Sequence, residues 1–387
     1  MNSGKKHALI SILDVGFGSG TTMVVSIIAA RALEVEAFGM FGILFAFTTA
    51  VQSVVQGGYI DVLLRDGVSN ARSFWSADRF FPIAVILGLV PVLADNYLEL
   101  DFPLFAFISA SGCAFLFVRY SWVRAFYHTQ GRVIASVSAS CSLFVIAATF
   151  LAISFVFNYR GWVIVAIVSV VAYGLSGLAS YVDSFRSSRN SDAGHGPTWR
   201  WDYAVESAIL VGSMQMSSIF ITPALGLQFS AGYRGGAMLY GPLSMVFSAL
   251  RLVLLPKLSL SSNSLRSLFV PSISIIGLVF AWGGIVFYGV VFFGSEILGD
   301  SAQTTQSLMV WFALSYASQG LYLVMFLAGR AWFLDAAIRW GRATQLILLL
   351  VGVLGSIFLV TPEPYFLGTI VGNIAAGAML AYKVWRI

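Results

Sequence analysis

Residues 183–202 read DSFRSSRNSDAGHGPTWRWD and form the one long polar segment between the first apolar run and the C-terminus. Gly194, Gly196 and Pro197 disfavour a helix in this segment, and its Ser and Asn side chains bind water or the local backbone. Each flank holds close to half of the 387 residues. Because a bilayer crossing takes about 20 apolar residues, each flank has room for about six transmembrane helices. The segment therefore predicts a loop between two lobes.

The composition of the chain is that of a polytopic membrane protein. Hydrophobic residues make up 58% of the sequence and charged residues 10%, with a mean hydropathy of +0.87, whereas soluble domains carry about 25% charged residues. We predict an all-α fold of about twelve transmembrane helices in two six-helix lobes. The N-terminal lobe spans 1–183, a cytoplasmic interlobe loop spans 184–202 and the C-terminal lobe spans 203–387.

Apolar runs near the bilayer thickness set the predicted helices. In the first lobe they lie at 8–30, 38–60, 79–94, 103–125, 133–157 and 161–182. In the second lobe they lie at 203–227, 231–256, 265–293, 304–328, 343–360 and 365–384. Weakly matching segments of the two lobes predict parallel repeats, as in many transporters.

The positions of the charges predict the orientation in the membrane. With Met1 in the cytoplasm, every Lys and Arg lies in an inner segment except Arg31, Arg160 and Arg234, and the outer turns are acidic. This asymmetry follows the positive-inside rule and predicts that both termini are cytoplasmic. The net charge of +5 and the pI of 9.2 therefore reflect topology, and no nucleic-acid partner is expected.

The predicted outer connections are too short for a catalytic domain. None is long enough to hold the charged groups with which a lipid-linked transferase or polymerase handles an activated sugar. Cys113 and Cys141 stand singly in apolar runs, without the spacing of a disulfide or a metal site. The sequence has no GxxxxGK[ST] phosphate-binding motif. We therefore expect no enzyme activity, no metal and no cofactor.

Five ionisable residues are predicted to lie at membrane depth, where a charged side chain costs at least about 2.5–3.5 kcal/mol. They are Asp14, Arg119, Glu206, Arg234 and Arg251. Arg119, Glu206 and Arg251 lie near inner helix ends, so each side chain either faces a cavity or extends to the interface. Arg234 and Arg251 stand roughly 25 Å apart on one predicted helix. Positive charge at both ends of a cavity suits an anionic substrate.

Asp14 lies too deep, and its side chain is too short, to reach the interface. Two interpretations stay open: a proton or cation site, and a structural carboxylate that hydrogen-bonds a neighbouring helix. We treat Asp14 and Glu206 as candidate ion-coupling residues. Gly16, Gly18 and Gly20 follow on the same helix, and since no strand precedes them they indicate close helix packing or bending rather than a dinucleotide loop.

Three segments resemble the bacterial polysaccharide flippases that export O-antigen and exopolysaccharide precursors. Residues 30–42, ARALEVEAFGMFG, resemble the turn between the first two helices of that family, and residues 124–132, RAFYHTQGR, its fourth-to-fifth turn. Residues 233–243, YRGGAMLYGPL, followed by RLVLLPKL at 251–258, are similar to its eighth helix. The family belongs to the multidrug, oligosaccharidyl-lipid and polysaccharide (MOP) exporter superfamily.

The resemblance implies two six-helix lobes around a cavity, alternating access and a place in the bacterial plasma membrane. The implied substrate is an undecaprenyl-diphosphate-linked oligosaccharide, and the implied partners are membrane lipids, a polysaccharide polymerase and glycosyltransferases. By position in the family's motifs, Arg31, Arg124 and Arg234 are the implied substrate-binding residues. The position of Arg119 and Arg251 within the membrane adds these two residues to that set.

Other functions fit the same sequence. A cation-coupled multidrug exporter of the same superfamily is the nearest alternative, and an acidic cavity with few Arg would favour it. A non-transporting scaffold of a polysaccharide assembly machine is a second, and an intramembrane transferase is a third, against which the short outer turns argue.

Overall fold

The structure is a computed structural model in which two compact units, Met1–Met216 and Ser217–Ile387, are distinguished. It describes residues 3–55, 120–121, 124, 127, 132–157, 160–168, 171, 213–247, 250, 266–332 and 334–385. The predicted helix at 79–94, most of the one at 103–125 and the interlobe loop at 184–202 lie outside the described residues. The predicted lobe boundaries therefore stay a prediction.

Every regular element within the described ranges is a helix, which confirms the all-α class. The helices are α1 Ser3–Ala32, α2 Val35–Val55, α3 Val133–Phe157, α4 Ser213–Leu225, α5 Leu227–Leu239, α6 Arg266–Leu298, α7 Ala302–Ala331, α8 Asp335–Leu359 and α9 Glu363–Trp385. A 3₁₀ turn at Gly299–Ser301 connects α6 to α7. Six stretches of the described chain are long and apolar enough to cross a membrane, and the longest, Leu268–Ala331, contains both α6 and α7. The count of twelve helices and the cytoplasmic termini stay predictions.

The observed helix ends differ from the predicted ones where polar residues or glycine intervene. Helix α3 has the predicted bounds, but α8 begins at Asp335 rather than at residue 343, because its first turns are amphipathic and a hydropathy run omits them. Gly226, at φ 84°, separates α4 from α5. Helix α5 ends at Leu239, and a turn at Tyr240 interrupts the single helix predicted for 231–256. Arg251 lies outside the described residues, so the estimated distance between Arg234 and Arg251 stays a prediction.

In the first unit, α1 and α3 pack side by side and run parallel. Phe17 contacts Phe144, with ring centroids 5.8 Å apart, and farther along both helices the Arg31 guanidinium carbon lies 3.7 Å from the Phe155 ring centroid. A Cβ on Gly20 would lie 2.9 Å from the Phe144 ring. The glycine is therefore a close-packing site, as predicted for this run.

In the second unit, α8 and α9 form an antiparallel pair whose backbones nearly touch. The chain reverses after Val360, which caps α8 in the left-handed conformation at φ 53°. A Cβ on Gly352 would lie 2.5 Å from the Pro364 carbonyl oxygen, and one on Gly368 would lie 2.6 Å from the Leu348 carbonyl oxygen. Small residues at such contacts let membrane helices approach closely, which favours dispersion between their backbones.

Replacing Gly368 by Ala should destabilise the α8 and α9 pair. The added Cβ would also lie 2.9 Å from the Gly352 Cα, and backbone atoms cannot rotate away, so we expect a loss of about 1–3 kcal/mol, as for other overpacked cores. The measurement is the midpoint of thermal unfolding in detergent. Gly289→Ala is the matched control, because nothing lies within 4 Å of its Cβ position. Equal midpoints for both variants would contradict the close contact.

Candidate functional site

Asp14 lies on the face of α1 that packs against α3, and its side chain is fully buried. Among the residues that the structure describes, side chains donate four hydrogen bonds to its carboxylate. The Arg124 Nε and Nη2 atoms donate to Oδ2 at 3.0 and 2.9 Å. The Ser136 hydroxyl donates to Oδ2 at 2.9 Å, and the Ser140 hydroxyl donates to Oδ1. Both carboxylate oxygens are therefore bound by donors from two other segments of the chain.

Tyr120 extends this network by one hydrogen bond. Its hydroxyl contacts the Ser140 hydroxyl oxygen. A serine hydroxyl has one proton, and Ser140 donates that proton to Asp14, so Tyr120 is the donor in this contact. The Arg124 guanidinium carbon also lies 5.4 Å from the Tyr120 ring centroid, within the range of a cation–π interaction.

Gly18 makes room for this arrangement. A Cβ at this position would lie 3.1 Å from the Tyr120 hydroxyl oxygen and 3.3 Å from the Arg124 Nη1 atom. Gly18 stands one helical turn after Asp14, so the Tyr120 and Arg124 side chains cross α1 over it to reach the carboxylate. The close packing predicted for the glycine run is thus a condition for the ion pair.

The ion pair supports the interpretation of Asp14 as a structural carboxylate and does not test its role in ion coupling. A buried carboxylate is tolerated when it is paired and its remaining lone pairs are hydrogen-bonded, and both conditions hold here. Asp14 therefore has the contacts of a hydrogen-bonded structural carboxylate, which is one of the two interpretations that the sequence left open. The same geometry leaves Asp14 with a charge that a single proton could remove, so an ion-coupling role stays a prediction. Within the described ranges, no group of three or more His, Cys, Asp and Glu side chains could hold a metal ion.

The predicted arginines fall into different places. Arg124 forms an ion pair with Asp14. The sequence predicted Arg124 as a substrate-binding residue and Asp14 as an ion-coupling residue. Arg31 stacks on Phe155 near the far end of α1, about 25 Å along the helix from Asp14. Arg119, Glu206 and Arg251 lie outside the described residues. Ser136 and Ser140 were not among the predicted site residues.

Arg234 lies on α5 in the second unit, within a cluster of aromatic side chains. The neighbouring Tyr233 hydroxyl is hydrogen-bonded to the Tyr365 hydroxyl at 2.9 Å. The Tyr233 ring also contacts Phe312, with centroids 5.3 Å apart, and the guanidinium is near enough to Tyr316 to act on its hydroxyl electrostatically. A half-buried cation thus stands among tyrosines.

Glycines on α5 let α7 approach this cluster. A Cβ on Gly236 would lie 2.1 Å from the Phe312 ring, and one on Gly235 would lie 2.3 Å from the Thr305 hydroxyl oxygen. Both glycines belong to residues 233–243, the segment that resembles a flippase helix. The packing of α5 against α7 requires them.

A second polar network links α7, α8 and α9. The Gln345 Nε2 atom donates to Asn373 Oδ1 at 2.6 Å, and the Asn373 Nδ2 atom donates to the Ser318 hydroxyl at 3.0 Å. Ser318 in turn donates to the Ser315 carbonyl oxygen at 2.8 Å. Asn373 is fully buried. This network could not be predicted from the sequence, because each member is an isolated uncharged residue in an apolar run.

Comparison with solved structures identifies the fold. The structure resembles that of the MATE transporter VcmN of Vibrio cholerae over 98% of this chain and 95% of that one, with a TM-score of 0.53 and 16% identity. A MOP superfamily transporter from Pyrococcus furiosus matches with a TM-score of 0.58 and 13% identity over 97% of this chain and 95% of that one. An outward-facing multidrug resistance MATE transporter matches with a TM-score of 0.55 and 14% identity over 99% and 95%.

No protein-family model and no curated protein matches the sequence. The class is therefore defined by the structural likeness alone: the chain has the fold of the MATE transporters of the MOP superfamily. This likeness confirms the fold that the sequence motifs implied, and the described helices are those of a multi-pass membrane protein. The narrower flippase family stays a proposal.

Replacing Arg124 by Gln should destabilise the first unit by about 3–5 kcal/mol, because it leaves the Asp14 carboxylate buried without its counter-charge. The double variant Asp14→Asn with Arg124→Gln removes both charges and should recover part of that loss. Thermal unfolding of the four proteins in detergent forms a double-mutant cycle that measures the coupling. Additive effects would contradict a buried ion pair.

Proposed function

We propose that this chain is a cation-coupled exporter that works by alternating access, with Asp14 as the residue that binds the coupling cation. The single observation that carries the proposal is the fully buried Asp14 carboxylate and its donors from α3 and Arg124. Ionisable groups at membrane depth are expensive and mark ion or substrate paths. The fold likeness to MATE transporters supports an exporter over the other functions that the sequence allows.

A proton fits this site better than a metal cation. Both Asp14 oxygens already accept hydrogen bonds, and Oδ2 accepts three. A sodium ion would need several oxygen ligands and would have to displace Arg124, whose positive charge also repels it. A proton needs one lone pair and no coordination shell.

Binding of a proton would change the α1 and α3 contact in a defined way. A neutral carboxyl group no longer neutralises Arg124, and its hydrogen bonds to the guanidinium and the two serines lose their charge assistance. One carboxyl oxygen also becomes a donor, so at least one serine hydroxyl must turn away from it. The packing of α1 on α3 then has two arrangements that differ by one proton, which is the two-state element that coupling requires.

Asp14→Asn should abolish proton-driven export while the protein still inserts into the membrane. Asparagine keeps the shape of the side chain but cannot bind and release the proton. The measurement is efflux of a cationic dye from proteoliposomes under an imposed pH gradient, and we expect at least a tenfold loss of rate. Glu36→Gln is the matched control, because Glu36 is an exposed carboxylate of the same unit. Undiminished pH-driven efflux by Asp14→Asn would remove the coupling role.

A second candidate function is favoured by the cation on α5. Arg234 lies beside Tyr233 and near Tyr316, and a guanidinium among tyrosine rings is suited to phosphate oxygens and sugar faces. We therefore keep the polysaccharide flippase, which moves an undecaprenyl-diphosphate-linked oligosaccharide outward across the bacterial plasma membrane. An inside-negative potential favours that direction by about 2.3 kcal/mol per negative charge and 100 mV.

The fold accommodates a change of substrate charge. The Pyrococcus furiosus transporter that resembles this chain is described as having a binding pocket of reverse polarity, which suggests a different function for that protein. A cationic pocket on the same fold would suit an anionic lipid-linked substrate here, with a polymerase and glycosyltransferases as proposed partners.

Arg234→Gln separates the two functions. The native chain in proteoliposomes is offered a fluorescent undecaprenyl-diphosphate oligosaccharide under an imposed inside-negative potential, or a cationic dye under an imposed pH gradient. If the substrate is the lipid diphosphate, the variant should lose its transport at least tenfold because the phosphate charge is no longer compensated. If the substrate is the dye, the native chain moves the dye alone and the variant moves it at least as fast. Equal lipid transport by both proteins would remove Arg234 from the substrate site.

A further inference from the structure

Ser140 connects the Asp14 carboxylate to the Tyr120 hydroxyl, and all three side chains are buried. The Ser140 hydroxyl donates to Asp14 Oδ1 and accepts from Tyr120. A serine hydroxyl has one proton, so it can donate to only one of these two neighbours at a time. The direction of the hydrogen-bond chain from Tyr120 through Ser140 to Asp14 is therefore set by whether Oδ1 can accept.

The hydrogen bonds to Asp14 indicate which of its two oxygens takes a proton. Oδ2 accepts from Arg124 Nε and Nη2 and from the Ser136 hydroxyl. A guanidinium group has no acceptor, so a proton on Oδ2 would face two N–H groups that cannot accept it. The described donor to Oδ1 is Ser140, whose hydroxyl oxygen can accept as well as donate. Oδ1 is therefore the oxygen on which a proton is tolerated better.

A proton on Oδ1 reverses the hydrogen-bond chain. The protonated Oδ1 of Asp14 then donates to Ser140 Oγ, and Ser140 donates its own proton to the Tyr120 hydroxyl oxygen. The Tyr120 proton can no longer point at Ser140, so it turns to a different acceptor. Asp14 gains one proton in this change, and each hydroxyl group keeps its own proton and only rotates. No charged tyrosine or serine is formed.

Gly18 brings the Tyr120 hydroxyl close to the one edge of Arg124 that does not hold Asp14. The Tyr120 hydroxyl oxygen and Arg124 Nη1 lie 3.1 and 3.3 Å from the same point, the Cβ position of Gly18. Arg124 Nη1 makes no hydrogen bond to the described residues, and the Arg124 side chain is 22% exposed. Because Nη1 is a donor only, one oxygen atom of a substrate can accept from both groups once the Tyr120 proton turns.

Few other ionisable side chains belong to the elements that pack together here. The ionisable groups of the network itself are Asp14, Arg124 and Tyr120. Helix α3 adds the Cys141 thiol. Helix α2 adds Glu36 in its first turn, which follows the end of α1 that is far from Asp14. Within the described network, the proton on Asp14 is thus the change of charge that sets the direction of the chain.

We propose that Tyr120 is the residue through which the protonation of Asp14 acts on the substrate. With Asp14 ionised, the Tyr120 hydroxyl donates to Ser140 and offers other groups only its lone pairs. With Asp14 protonated, the Tyr120 hydroxyl donates beside Arg124 Nη1 to an acceptor oxygen of the substrate. The inference rests on the proposed proton coupling at Asp14, and it adds Ser140 and Tyr120 as the positioning residues that reverse the hydrogen-bonding polarity of the site.

The proposal is tested by infrared difference spectroscopy of the full chain in proteoliposomes at varied pH, with ring-deuterated tyrosine to identify the tyrosine bands. The native chain should show the carboxyl C=O band of protonated Asp14 and a shift of a tyrosine C–O band with the same pH midpoint. Asp14→Asn should lose both signals, and Tyr120→Phe should lose the tyrosine signal alone. Ser140→Ala should keep the carboxyl band and reduce the tyrosine signal at least fivefold, because it interrupts the chain between them.

Ser136→Ala is the matched control, because it also removes one serine donor from Asp14 but does not interrupt the chain to Tyr120. It should keep the tyrosine shift at the midpoint of its own carboxyl band. Loss of the shift in Ser136→Ala as in Ser140→Ala would overturn the proposal. A carboxyl band that titrates without a tyrosine shift would overturn it too, but would leave proton binding at Asp14 intact. The absence of a titrating carboxyl band would overturn the proposed proton coupling and this inference with it.

Transport measures whether the substrate responds to the reversal. In proteoliposomes under an imposed pH gradient, Tyr120→Phe and Ser140→Ala should each lower the rate of transport at least fivefold. The double variant should lose no more than either single variant, because both substitutions interrupt the same chain. Multiplied losses in the double variant, or undiminished transport by Tyr120→Phe, would contradict the role of Tyr120.

Discussion

The buried carboxylate of Asp14 is the constraint on which the described part of the first unit depends. A charged group inside a bilayer is not hydrated, so its hydrogen-bond partners must come from the protein. Those partners are Arg124, Ser136 and Ser140. The parallel packing of α1 and α3 brings the serines to Asp14, and the missing side chain of Gly18 gives Arg124 and Tyr120 their space.

In the second unit, α7, α8 and α9 bury a network of neutral polar groups. Gln345, Asn373 and Ser318 satisfy one another in a chain across three helices, and the α8 and α9 backbones are held in contact at Gly352 and Gly368. An amide network has no proton to gain or lose near neutral pH, so it keeps one arrangement. The carboxylate of the first unit can have two, and for this reason we propose the coupling step at Asp14 rather than in the α7, α8 and α9 packing.

The sequence predicted much of the fold because hydropathy runs measure the bilayer crossing directly. It predicted the helical class, the bounds of α3 and the fold that the structural likeness shows. It did not predict the amphipathic start of α8 or the turn at Tyr240, since hydropathy averages over such features. Isolated serines in apolar helices carry no signal of their own. Ser136 and Ser140 are one helical turn apart, but only the packing of α3 on α1 makes them ligands of Asp14.

Arg124 connects the two proposed functions. A guanidinium that donates to Asp14 through Nε and Nη2 keeps three of its five N–H donors, but the carboxylate compensates its charge. If a proton neutralises Asp14, the positive charge on Arg124 becomes available to an anion, and the entry of an anion in turn favours the protonated carboxyl group. Linkage makes this effect reciprocal. Proton binding and anionic substrate binding at this site would therefore be cooperative, whereas a cationic substrate would compete with the proton for Asp14. Under either proposal the sign of the coupling would follow from the charge of the substrate, so the same ion pair would couple protons to cation export by competition and to lipid-diphosphate export by cooperation.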